Sequence, residues 1–99
     1  RIVNRSDRPP VLIERNASDV EGTDATEREA RRLAGAAVEN GVHSGKHPVG
    51  IAAGALYAAA KRCGESLRQA DIARSADVSE MTIRNRYPEI LSAAGTEDM

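Results

Sequence analysis

Phenylalanine and tryptophan are absent from the 99 residues, and tyrosine occurs twice. That removes the aromatic anchors that dominate many small cores. Leucine, isoleucine and valine together supply only 18 residues. A fraction that low signals disorder when net charge is large, but here the charge is −1 and alanine adds 17 residues. Alanine favours helices that pack at close backbone separation, while each buries little apolar area. A thin helical core of modest stability is therefore expected, unless a neighbouring domain or a partner covers one face. Cysteine occurs once, as Cys63. That excludes an internal disulfide and a cysteine-rich metal site, and it fits a reducing interior. With no histidine near it in sequence, Cys63 reads as a buried or half-buried small hydrophobe. No apolar run is long enough for a signal peptide or a membrane span. The first residue is Arg1 rather than methionine, which predicts a piece of a longer protein.

Catalytic patterns are missing too. There is no HExxH arrangement and no phosphate-binding glycine loop. His43 and His47 are four apart, but Gly45 and Pro48 lie in and beside the interval, so they do not share a helical face. The run HSGKHP could hold a phosphate at a helix start, yet the other residues of a nucleotide loop are absent. Neither an enzyme nor a cofactor is expected.

What is present is arginine, twelve residues against two lysines. Its planar fork suits phosphates and guanine edges. A near-zero net charge argues against strong indiscriminate nucleic-acid binding, so the distribution matters more. Residues 61–88 carry six cations (Lys61, Arg62, Arg68, Arg74, Arg84, Arg86) against four anions (Glu65, Asp71, Asp77, Glu80).

The length allows one domain. Residues 1–25 read as an irregular or divergent first-helix segment: Pro9-Pro10 favours extended backbone, and one or two helix turns or a short strand over 11–17 are alternatives. Thr26 with Glu29 forms a candidate capping box for a helix over 26–40, with Ala30, Leu33, Ala34, Ala37 and Val38 on its apolar stripe and Gly41 at its end. Pro48 suits the first turn of a second helix, which is apolar on all sides to Cys63 and so reads as the central, buried one. Gly50 and Gly54, on one face, would admit a neighbour closely. Gly64 ends that helix.

Two short helices follow. Leu67–Ser75 begins at a candidate box of Ser66 with Gln69 and buries Ile72, Ala73 and Ala76. Ala76-Asp77-Val78 makes the turn, and Ser79 caps the last helix, whose Ile83 and Tyr87 face inward. Pro88 predicts a kink or a stop. This pair, spanning 67–87, has the pattern of a helix-turn-helix. Its exposed second helix would offer Arg84 to guanine, Met81 for an apolar contact and Asn85 for a base or phosphate. Ser79 and the free N–H groups beside it would bind phosphate. The alternative for Arg84 and Arg86 is a solvated, ion-paired face, and for Met81 a contact with another protein element. Glu80 would repel phosphate.

The run KHPVGIAAGALYAAAKRCG, followed by RQADIARSADVSEMTIRNRY, resembles the second cyclin-like repeat of the archaeal transcription initiation factor B (TFIIB) family. The resemblance covers residues 26–91 and rests on the Pro48–Ala59 stretch of the core helix and on Thr82–Tyr87. It implies an all-α, cyclin-like bundle of four to five helices that contains the helix-turn-helix, with 92–99 as a flexible tail. It also implies partners: double-stranded promoter DNA upstream of a TATA box, TATA-binding protein and, in the full-length protein, RNA polymerase, in the cytoplasm at the nucleoid. No membrane is involved. Base contacts carry over to Met81, where relatives usually have valine, and to Arg84. Lys46, Arg74 and Arg86 carry over as phosphate contacts. Three departures stand out. Residues 1–25 lack the usual first-helix pattern. Arg68 replaces a capping threonine, which leaves it free for phosphate. Pro88 interrupts the last helix. The rival reading is a protein-interaction module of the same fold without base reading.

Overall fold

The computed structural model describes residues 9–41 and 47–95. They form five helices: α1 (Pro9–Asp19), α2 (Asp24–Glu39), α3 (Pro48–Arg62), α4 (Gln69–Ala76) and α5 (Glu80–Ala93). No strand occurs among the described residues. As the all-round apolar pattern requires, α3 is the axis, and each of the other four helices packs against it. From Gly50 to Ala60 every residue of α3 is buried except the half-buried Tyr57. Tyr57 meets Tyr87 edge to face, with ring centroids 5.0 Å apart, so the two tyrosines make one aromatic contact in place of the missing anchors.

Before residue 26 the chain takes the helical one of the alternatives the sequence left open. Residues 9–19 are a three-turn helix whose Leu12, Ile13, Asn16 and Ala17 are buried. The prolines fall in its first turn, where an absent N–H is not missed. Its apolar stripe is disguised, because one of the four inward positions is asparagine and another alanine. Asn16 and Ser75 join α1 to α4. Ser75 Oγ lies 3.1 Å from Asn16 Oδ1 and 2.9 Å from Asp19 Oδ2, whereas Asn16 Nδ2 lacks a partner. One hydroxyl proton cannot serve two acceptors. Turning the Asn16 amide resolves the conflict at the hydroxyl, since Nδ2 then donates to Ser75 Oγ, which donates to Asp19, and it leaves Oδ1 in the unpartnered place.

The start of α2 is also shifted. Thr23, not Thr26, is the N-cap, and its Oγ1 accepts from Thr26 N at 3.2 Å. The carboxylate that completes the cap is Glu65, from the α3–α4 connection. It accepts from Thr23 N at 3.2 Å, from Thr23 Oγ1 at 3.2 Å and from Thr26 Oγ1 at 2.5 Å. Glu29 instead receives Arg32 and, across to the end of α3, Arg62 at 2.7 Å. Val38 lies outside the stripe at 40% exposure, while Ala30, Leu33, Ala34 and Ala37 are buried.

The hydrogen bond from Thr26, against the opposing effect of desolvation and with further help from Thr23, lowers the Glu65 carboxyl below 4.5. The bonds and charges of Arg32 and Arg62 lower Glu29 likewise. A carboxylate depressed in the folded state stabilises fully above its unfolded value, and the contribution disappears as pH falls through the folded value. Urea midpoints measured from pH 7 to pH 3 should therefore fall, and Glu65→Gln should flatten that slope. At pH 7 the substitution should cost about 1 kcal/mol, as expected for exposed hydrogen bonds to a charged acceptor. An unchanged slope would remove Glu65 from the account.

Left-handed residues follow all five helices: Gly41, Gly64 and Gly95, but also Glu21 and Asp77 at φ 59°. After α1 and α4 the chain closes with Gly22 N to Ala17 O at 2.8 Å and Val78 N to Ala73 O at 3.0 Å. A side chain in this region is strained, less so for aspartate, and a negative charge at a helix C-terminus is unfavourable. Glu21→Gly should therefore raise stability by about 1 kcal/mol and Asp77→Gly by less. Thermal melts of the two variants would check the order.

Of the kink or stop expected at Pro88, the stop does not occur: α5 runs through Pro88 to Ala93. Burial of Ile90 and the bond from Asn40 Nδ2 to Ala93 O, 3.2 Å, hold the last turn. That turn takes the first residues of the expected tail; 96–99 lie outside the described residues. Cys63 is exposed, contrary to expectation, because α3 ends at Arg62 and leaves it as the C-cap beyond the core.

Candidate nucleic-acid interface

Helices α4 and α5 and the turn 77–79 form the expected paired unit. Ile72, Ala73 and Ala76 of α4 are buried, as is Ile83 of α5, and Val78 packs half-buried against the core from the turn. The start of α4 differs from expectation: its N-cap is Arg68, with no side-chain bond, so Ser66 does not close a capping box. Ser79 does cap α5, accepting from Thr82 N at 3.1 Å.

The glycines of α3 set the orientation of α5. A Cβ on Gly54 would lie 2.8 Å from Arg86 Cβ and 3.3 Å from Tyr87 N, and one on Gly50 3.2 Å from Thr82 Cγ2. The backbones thus approach closely, and Thr82, Ile83, Arg86, Tyr87 and Ile90 face inward. Helical geometry then turns Met81, Arg84 and Asn85 outward. All three are exposed, Met81 at 61%. Among the described residues Arg84 has one side-chain hydrogen bond: Nη1 donates to Gln69 Oε1, 3.3 Å away. Sequence reasoning missed Gln69, treating it as a capping residue; a contact between positions 15 apart leaves no periodic signal.

The expected phosphate contacts are placed less uniformly. Arg68 is 77% exposed at the start of α4, 3.3 Å from Asp71. Arg74 is as open but lies 3.7 Å from Asp71 and lines a groove with Asp19 and Glu21, so carboxylates surround it. Arg86 is on the inward side, its side chain only 25% exposed and paired with Glu89 at 2.5 Å. It shares a groove with His47, Val49, Gly50, Asp77, Val78 and Thr82. Ser79 is exposed at the start of α5. Lys46 lies outside the described residues, as does His43. Among the described residues no group of three or more acidic, histidine or cysteine side chains could hold a metal ion, and no helix is long and apolar enough to cross a membrane.

Comparison with known proteins bears on this arrangement. A family model described as the transcription factor TFIIB repeat matches residues 5–93. The chain belongs to the TFIIB repeat family. The five helices and the lack of strand among the described residues are consistent with a cyclin-like TFIIB repeat, and the match takes in α1, which the sequence resemblance had left uncovered. Among curated relatives, transcription initiation factor IIB 2 of Haloferax volcanii is 49% identical over 83 residues, 84% of this chain and 25% of the relative. Transcription initiation factor IIB 6 of Halobacterium salinarum is 49% identical over 88 residues, 89% of this chain and 28% of the relative. A transcription initiation factor IIB of Haloarcula vallismortis is 40% identical over 87 residues, 88% of this chain and 76% of the relative. The TFIIB repeat seen here thus spans about a quarter of the length of the first two.

Proposed function

We infer that this TFIIB repeat is a promoter-binding domain of an archaeal transcription initiation factor, reading duplex DNA upstream of a TATA box while docked on TATA-binding protein. In the full-length protein RNA polymerase would be the further partner. The part played here is non-catalytic. The N-terminal half of α5 enters the major groove, with Arg84 offered bidentately to a guanine, Met81 against an apolar base edge and Asn85 to an adjacent base. Arg68, Ser79 and the first N–H groups of α5 contact the backbone. Lys46, Arg74 and Arg86 contribute to that contact as well, the last two only after release from their carboxylates. A net charge of −1 makes the affinity of the repeat alone low, so binding is shared with TATA-binding protein.

The observation that carries this reading is the exposed guanidinium of Arg84 on the outward face of a helix that follows a tight turn. The decisive experiment measures binding with TATA-binding protein to a selected promoter duplex and to duplexes altered one base pair at a time. Arg84→Ala should lose roughly 1–3 kcal/mol of discrimination at one base pair and little elsewhere. An equal loss on every sequence would contradict base reading. The ion pairs that occupy Arg74 and Arg86 favour the rival, a protein-interaction module. In that case TATA-binding protein would still bind and Arg84→Ala would change nothing on DNA.

A further inference from the structure

We propose that Gln69, the first residue of α4, is a positioning residue for Arg84, holding its guanidinium in the plane that meets a guanine edge. This rests on the reading of α5 as the base-contacting helix. Arg84 Nη1 donates to Gln69 Oε1 at 3.3 Å. A guanidinium has donors only, so the amide must turn its oxygen toward it. Five N–H groups make up the fork; one is used here, and two parallel ones remain for the two acceptors of guanine. Gln69 is half-buried and Arg84 exposed, and α4 is anchored one turn later by the buried Ile72. The contact thus ties a mobile side chain to a fixed one. An exposed arginine loses rotamer freedom on binding, and a contact made before DNA arrives lowers that cost.

The chemistry of the partner matters as much as its position. Asp71, two positions after Gln69 on α4, is taken by Arg68 and Arg74, and among the described residues Arg84 has no ion pair, not even with Glu80 four positions before it on α5. A carboxylate would neutralise the charge that a DNA groove attracts and would itself be repelled by phosphate. A neutral amide orients the fork and leaves the charge intact.

The test uses the chain with TATA-binding protein, a duplex selected from a randomised pool beside a fixed TATA element, and its single-base-pair variants. Gln69→Met keeps side-chain length and removes the acceptor; Gln69→Glu restores the acceptor. At the base pair read by Arg84, Gln69→Met should lower discrimination roughly 3- to 10-fold, the worth of one hydrogen bond. Gln69→Glu should recover most of that ratio while its added charge weakens binding to every duplex alike, and Gln69→Met should add nothing in an Arg84→Ala background. A structural role would shift affinity for all duplexes together and leave the ratio alone, which would overturn the proposal. So would failure of Gln69→Glu to restore the ratio. If Arg84→Ala lowers discrimination and Gln69→Met does not, positioning fails while base reading stands. If Arg84→Ala leaves every base pair equally discriminated, the reading beneath it falls as well.

Discussion

Gly54→Leu is expected to cost about 3 kcal/mol or more, a large share of the stability of a thin-cored, 99-residue domain. Leucine is the better helix former by nearly 1 kcal/mol, so local propensity predicts the opposite sign. Packing wins because the first added atom meets fixed neighbours. An ideal Cβ at Gly54 would stand 2.8 Å from Arg86 Cβ, 3.1 Å from Ile90 Cδ1 and 3.3 Å from Tyr87 N. Two of those atoms are backbone or directly attached to it, and α5 would have to move away from α3 to accept them. The other helical glycines calibrate the claim. At Gly50 the tight neighbour is Thr82 Cγ2 at 3.2 Å, the end of a side chain, and Gly50→Ala should be nearly neutral. At Gly35, exposed in mid-α2 with nothing within 4 Å, alanine should stabilise by about 0.5–1 kcal/mol. Urea unfolding of the three variants gives the order directly. A Gly54→Leu midpoint at or above wild type would show that the two helices are not held this close.

Ile13→Ala should cost about 2–5 kcal/mol, as much as a comparable truncation in α3. Ile13 is fully buried, and α1 packs against α3, α2 and α4. With few large side chains in the core, each one deleted leaves a void that rigid alanine-rich neighbours cannot close. The comparison with Ile51→Ala, at an equally buried position in α3, separates two views of the first helix. Similar losses make α1 part of the cooperative unit. A loss below about 1 kcal/mol would mark it as an appendage, with surface-like substitution energetics.

Four of the five helices and the identity of the central one were legible before any coordinates. The apolar all-round run 49–60 could only be interior, and Pro48, Gly41, Gly64 and Ser79 punctuate the chain with unambiguous chemistry. The first helix was legible only as one alternative among several, because Asn16 and Ala17 stand where a stronger stripe would carry large apolar residues. Its polar inward residue is tolerated only because Ser75 meets it from another helix. The cap of α2 was misread for a related reason. A glutamate three residues on is the usual source of the carboxylate, but here Glu65 supplies it from 42 residues beyond Thr23. Pro88 was expected to interrupt α5, since the missing bond is local, whereas the burial of Ile90 that carries the helix past it is not.

From the sequence alone followed what is periodic or punctuated along the chain: helix number to within one, the buried axis, the turn, and the residues one face of α5 would display. The tertiary structure alone decided which cations are available. Arg84 and Arg86 are two positions apart and chemically identical, yet one is exposed beside a neutral amide and the other faces α3 with its charge spent on Glu89. The pair with Glu89 is local, three positions along α5; what folding adds is the side of that helix that meets the core, settled by the approach of α5 to Gly54.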